Sequence, residues 1–102
     1  MRIIRLMAKR IAKRFHPEKI ILFGSYAMGT ARPDSDADLL VVMNCRGSKR
    51  EKAIEMDVAV SDLRMAKDIF ITSPQDFEWR RGVPGTIERP ASIEGVVLYE
   101  RG

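Results

Sequence analysis

Three aspartates and a glycine-serine pair are the residues of this chain whose types and spacing could do chemistry. Asp36 and Asp38 open an apolar run ending at Met43 that reads as a strand. Side chains alternate along a strand with a period of two, so both carboxylates point to the same face. Side by side they repel each other, and a cation between them relieves that cost. Asp68 opens another apolar run, ending at Thr72. If these two strands are neighbours, all three carboxylates converge on one sheet edge. Hard oxygen donors without His or Cys suit Mg²⁺ or Mn²⁺ and not zinc. Magnesium keeps several waters and commonly shares the phosphates of a substrate, so the implied substrate is a phosphate compound. Gly24-Ser25 supplies the complementary part. Glycine lets the backbone come close, and amides at a helix start, with a serine hydroxyl, hold phosphate oxygens. A lone Gly-Ser is an ordinary turn, and a lone Asp-x-Asp is often a solvated strand start. Their combination, with ten residues between Ser25 and Asp36 and an acid on a later strand, is much more specific.

The elements that must position these residues can be read from hydrophobic periodicity. Ile3, Ile4, Met7, Ala8, Ile11, Ala12 and Phe15, with Leu6 beside them, make an amphipathic helix that His16-Pro17 stops. Ile20–Phe23 predicts a buried strand. Ser25 is the expected N-cap of a short turn through Tyr26, Ala27 and Met28, which Gly29 ends. Thr30–Ser35, with Pro33, predicts a loop before the strand Asp36–Met43. After a turn at Asn44–Ser48, Lys49–Leu63 predicts a helix with apolar residues at Ile54, Val58 and Leu63, plus Met56, Ala59 and Val60. Asp68–Thr72 is the third strand. Ser73 as N-cap, Pro74 at N1 and Asp76 at N3 then start a helix that includes Phe77 and Trp79, the latter expected to pack rather than to stack on a ligand, and ends near Gly82. Thr86–Ile93 carries Pro90 and predicts no more than a helical turn on either side of it. Val96–Tyr99 predicts a last strand. The expected fold is α/β (α+β): one domain over residues 1–102, with a small mixed sheet of about four strands and helices packed on it.

Composition narrows the function classes. An apolar fraction of 45% and a charged fraction of 31% are those of an ordinary globular domain. No apolar run approaches the roughly 20 residues that span a bilayer, so no membrane association is expected. A single cysteine, Cys45, excludes an intrachain disulfide and fits a reducing compartment, so a cytoplasmic location is expected. The formal charge of +4 is not spread evenly. Residues 1–17 hold six basic residues (Arg2, Arg5, Lys9, Arg10, Lys13, Arg14) and no acid, leaving 12 basic and 14 acidic residues, a net of −2, in the rest. The basic face of the first helix is either simply solvated or meets an acidic partner or nucleic acid. A presequence would share this composition, but the helix runs within three residues into the first strand, which leaves no segment to cleave.

On these residues the chain resembles a known family. Gly24-Ser25, ten residues and then Asp36-x-Asp38 are similar to the motif of the polymerase-beta-like nucleotidyltransferase superfamily. The longer strings GSYAMGTARPDSDADLLVV, KDIFITSPQDFE and GVVLYE look like its smallest members. Those are the minimal nucleotidyltransferases (MNT domains, MntA-like antitoxins), usually encoded beside a HEPN-domain protein. The resemblance runs from about Ile20 to Tyr99. It implies a polymerase-beta-like core and an antitoxin; some members transfer AMP from ATP to a tyrosine of a HEPN ribonuclease toxin. By position, Asp36 and Asp38 would hold a pair of Mg²⁺ ions, and Asp68 would complete the metal site on the acceptor side. Asp68 would also help to deprotonate the incoming hydroxyl, and Gly24 and Ser25 would bind the β- and γ-phosphates. There is one departure: members often carry arginine where this chain has Met28, four residues after Gly24. Arg32 is the nearby cation that could compensate at the nucleotide.

Three function classes follow. The first is an active nucleotidyltransferase modifying a partner protein. The second is a catalytically weak antitoxin that neutralises a HEPN toxin by binding it. The third is a nucleic-acid-binding module using the basic first helix, disfavoured because the rest of the chain is net acidic with no aromatic-interleaved basic patch. A small-molecule acceptor such as an aminoglycoside usually needs a second domain to form its pocket. A minimal domain exposes its active-site edge, so a partner is expected to supply the missing acceptor wall, in a homo- or hetero-oligomer.

Overall fold

In the computed structural model, which describes residues 1–102, four strands form one mixed sheet. They are β1 (Lys19–Phe23), β2 (Ala37–Val42), β3 (Lys67–Thr72) and β4 (Val96–Glu100), in the spatial order β3-β2-β1-β4. β1 runs antiparallel to both β2 and β4, whereas β2 and β3 are parallel. The helices are α1 (Arg2–Phe15), α2 (Ser25–Met28), α3 (Lys49–Ala59), α4 (Pro74–Arg80) and α5 (Glu88–Glu94). A parallel pair needs a crossover, and α3 supplies it between β2 and β3.

Two separate apolar clusters show that the sheet is covered on both faces. On one, Ile4, Met7, Ala8, Ile11 and Ala12 of α1 and Met56 of α3 meet Ile20, Leu22, Leu39 and Val41. On the other, Phe77 of α4 and Ala91 of α5 meet Ile21, Phe23, Leu40 and Val42. Burial on both faces is why β1 and β2 read as continuous apolar runs rather than alternating ones. Burying each of these large side chains is worth about 1.5–3 kcal/mol. Within β2 the one polar side chain is Asp38, which shares its face with Leu40 and Val42.

α3 is a helix as expected, but it ends at Ala59 and only part of its apolar set is buried. Met56 and Val60 are fully buried, whereas Ile54 and Val58 are 53% and 66% exposed. The pairs 54/58 and 56/60 each repeat at i, i+4, but two residues of offset turn the helix by about 200°, so only one pair can face the sheet. Ser48 caps α3, its Oγ accepting a hydrogen bond from the Glu51 amide at 3.1 Å. Ser73 caps α4 in the predicted way: the Asp76 amide donates to its Oγ at 3.0 Å, with Pro74 at the helix start, but of its two aromatics only Phe77 packs, and Trp79, expected to pack, is 59% exposed.

The segment around Pro90 forms a full helix, α5, where only isolated turns were expected. Pro90 falls in its first turn, where amides have no intrahelical partner to lose. The helix is tied to the sheet by Thr72 Oγ1, which donates to Glu88 Oε2 at 2.8 Å in a buried setting. His16 ends α1 in a left-handed conformation (φ 51°), its amide donating to the Ala12 carbonyl. No helix is long and apolar enough to cross a membrane.

Gly95, between α5 and β4, lets that helix press against the central strand. A Cβ there would collide with the Ala91 carbonyl and sit 2.5 Å from Ile21 Cγ2. Backbone cannot yield cheaply, so Gly95→Ala is expected to destabilise the fold by about 1–3 kcal/mol. Urea unfolding with an unchanged m-value would show it as a lower midpoint.

Candidate active site

The predicted site residues converge at one end of the sheet, and the strand pairing explains why. Asp38 stands opposite Phe23 of β1 on one side and level with Asp68 of β3 on the other. Phe23 leads directly into Gly24, so the glycine-serine turn and the two strand acids meet at the same edge. Asp36 lies one residue before β2 and shares the parity of Asp38. Asp36 and Asp68 are exposed, and Asp38 is half-buried.

Gly24 is required twice over. Its φ of 77° is costly for any other residue, and the Asp38 carboxylate occupies the place a Cβ would take, with Cγ 3.4 Å from that position. The Asp38 carboxylate thus lies against the face of Gly24 from which a side chain would project. Ser25 is not the N-cap that its residue type suggested. Gly24 takes that position without a side-chain cap, and Ser25 becomes the first residue of α2. Its amide is one of the four at a helix start that lack an intrahelical acceptor. Met28 ends α2, 56% exposed.

The electrostatics mark Asp38 as the strained member. Its pKa is raised, first by burial and then by the negative charges of Asp68 and Asp36. The Asp38 carboxylate therefore feels both neighbouring negative charges without a counter-charge that offsets them. No three Asp, Glu, His or Cys side chains of the chain converge into a preformed cation cage. Like charges lower their energy by turning apart, and magnesium fills much of its shell with water and phosphate oxygens. The donor set of hard oxygens, uncompensated in charge and open to solvent, fits a divalent cation of the magnesium class.

Arg32 lies exposed in the loop between α2 and β2, where its amide donates to Ser35 Oγ at 2.8 Å in a tight turn. That bond fixes its backbone but leaves the guanidinium free of the Gly24–Ser25 turn. Beside Asp68, a groove of about 350 Å³ opens between α3 and the free edge of β3, lined by Arg50, Ile54, Asp57, Val58 and Lys67 among others. Lys67 Nζ is held by Asp57 at 3.4 Å and so is turned away from its neighbour Asp68. The sequence pattern could not show this groove, because nothing in it separates the exposed Ile54 and Val58 from the buried Met56 and Val60.

Comparison with known proteins places this geometry in context. A model of the nucleotidyltransferase domain family matches residues 4–94. No curated protein matches the chain. Among solved structures, a Sulfolobus solfataricus protein described as a candidate nucleotidyltransferase superposes with a TM-score of 0.60 at 22% identity, covering 98% of this chain and 79% of that one. A toxin-antitoxin structure with AMP-PNP gives 0.67 at 20% identity, covering 99% and 75%. A mutant of the toxin-antitoxin MntA-HpeT gives 0.51 at 20%, covering 98% and 72%. At these identities the likeness is one of fold.

Because the pKa of Asp38 is raised in the folded state, the native chain binds more protons than the unfolded one through the carboxylate range. Stability therefore falls as pH rises from the ordinary value of 3.8 through the raised one, and the penalty is fully present above both. Asp38→Asn is expected to raise the melting temperature at pH 7 in the absence of divalent cations, the gain vanishing below the carboxylate range. Millimolar Mg²⁺ should raise the melting temperature of the wild-type chain and not that of Asp38→Asn. Gly24→Ala should cost about 1 kcal/mol through its φ alone. It should also blunt the Mg²⁺ response, because the Asp38 carboxylate must swing aside.

Proposed function

This chain belongs to the nucleotidyltransferase domain family, and from that premise we propose that it transfers AMP from ATP to a hydroxyl of a partner protein. The partner we propose is a HEPN-type toxin with a tyrosine as acceptor, so that the chain acts as the antitoxin of a pair. Residues 1–102 form, in this reading, a single transferase domain. The observation that carries the proposal is the half-buried Asp38, set between Asp68 and the Gly24 turn with its negative charge unbalanced. A purely structural role does not call for such an arrangement, since uncompensated carboxylates destabilise a fold.

Asp36, Asp38 and Asp68 are the residues that would hold Mg²⁺, which when bound neutralises phosphate charge and makes the acceptor hydroxyl more acidic. Gly24 and Ser25 supply backbone amides and a hydroxyl for the β- and γ-phosphates, and Gly24 keeps that approach free of a Cβ. The acceptor oxygen attacks the α-phosphorus, the bond to the pyrophosphate oxygen breaks, and the hydroxyl proton passes to the Asp68 carboxylate. Asp68 suits that task because it stands on the edge strand, exposed beside the groove of Ile54 and Val58. Arg32 supplies a mobile cation on the nucleotide side. Catalysis in this scheme is mainly positioning and charge neutralisation.

The exposed Met28, where the family often has arginine, favours a second reading, in which the chain binds its partner and turns over slowly. Incubation with α-labelled ATP, Mg²⁺ and the product of the neighbouring gene separates the two. Label on that protein, lost with Asp36→Asn and with Asp38→Asn, is the expected outcome; a stable complex without label supports the second reading. Asp68→Asn should leave ATP binding within about twofold of wild type while stopping transfer, and unimpaired transfer removes Asp68 from the site. Met28→Arg should tighten ATP binding by about three- to tenfold, one charge-assisted contact being worth about 1 kcal/mol or more.

A further inference from the structure

Between α1 and β4 lies a second surface that nucleotidyl transfer does not use. Arg5, Lys9 and Lys13 recur every four residues along α1 and so form one stripe on its solvent face. With His16 they face Leu98 and Tyr99 of β4 across a groove of about 540 Å³. Like charges four residues apart weaken a helix by about 0.2–0.5 kcal/mol per pair. α1 contains no acid, and Arg5 and Lys9 make no ion pair in the chain; Asp62, which pairs with Arg10, borders only the Lys13 end of the stripe. The acid of β4, Glu100, is held by Lys19 at 3.3 Å. Arg101 adds a further cation at the end of the groove, donating to the His16 carbonyl at 3.2 Å.

β4 is an edge strand, paired with β1 on one side only. Its free side presents backbone groups to any extended chain that can lie beside it. The two features match in spacing. Successive cations of the stripe are about 6 Å apart along the helix axis. Alternate residues of an extended chain are about 6.7 Å apart and point the same way.

We propose that this groove docks an extended acidic segment of a partner protein, which adds as a strand to the edge of β4 and sets acids at alternate positions against Arg5, Lys9 and Lys13. Its remaining side chains meet the apolar floor at Leu98 and Ala12. A protein segment fits better than nucleic acid, because only a peptide satisfies a strand edge and Tyr99 is the only aromatic lining the groove, too few for a stacking platform. In β1 the register sets Lys19 against Glu100, while the transfer site lies at Phe23 and Gly24. The β4 part of the docking surface, at Tyr99 beside Ile20, therefore lies toward the Lys19 end of β1, whereas the transfer site is at its Phe23 end. The inference goes beyond the transferase reading and does not depend on it.

The test uses the full chain and two fluorescein-labelled probes: a ten-residue peptide alternating Glu and Val, and a ten-nucleotide oligouridylate. Fluorescence anisotropy should show saturable peptide binding that weakens with salt. It should weaken by at least about tenfold when Lys9→Glu and Lys13→Glu are combined, and stay unchanged in Asp38→Asn. Lys9→Ala with Lys13→Ala serves as a second variant should charge reversal unfold α1, as read by its melting curve. Amide hydrogen exchange should slow in β4 on saturation with the peptide. Absence of saturable peptide binding, tighter binding of the oligouridylate than of the peptide, indifference to the lysine changes, or unaltered exchange in β4 would each overturn the proposal.

Discussion

The arrangement of this molecule depends on one constraint: a charged side chain must be kept on an inner strand whose other residues are apolar. β2 lies between two neighbours and is buried on both faces, yet Asp38 occupies its second position. The cost is visible in the raised pKa, to which loss of solvent contributes most, followed by the repulsion of Asp68 and then of Asp36. Strand ends are where such a group can be tolerated, since water still reaches it there. Strand pairing then decides what surrounds it. The parallel partner brings Asp68 alongside, and the antiparallel partner brings Gly24. Had β3 joined the sheet by one residue out of register, Asp68 would have pointed to the opposite face.

Much of this was legible in the sequence because the inner strands leave little freedom. Ile20–Phe23 and Leu39–Val42 are continuous apolar runs bounded by turn residues, and the fold keeps them as strands. The ends of α4 were legible for a different reason: Ser73, Pro74 and Asp76 are local signals whose partners lie within three residues. What could not be read depended on partners far along the chain. Ile54 and Val58 repeat at helical spacing as well as Met56 and Val60 do, and only the position of the sheet decides between the stripes. Likewise α5 rests on Thr72 bonding Glu88, a contact between residues sixteen apart. Pro90 looked like a breaker because its place in the first turn is fixed by that docking.

The site was legible in its members more than in its geometry. Spacing brought Asp36, Asp38 and Asp68 together, and the strand register sets Asp38 and Asp68 side by side. The spacing did not reveal that Gly24 is needed for the Asp38 carboxylate as well as for the turn. Nor did it show that the capping position belongs to Gly24 and not to Ser25. Both follow from how close two loops come when a sheet closes, a distance that no local pattern encodes.

A small domain has few places to put charge, and this one separates its charges by sign. Its unbalanced acids gather where β2 and β3 begin, while its unpaired cations gather along α1, beside the end of β4. Each keeps its own unmet demand, one for cations and the phosphates that accompany them, the other for carboxylates. Under the two proposals made above, the chain would hold a partner by its cations and act by its acids.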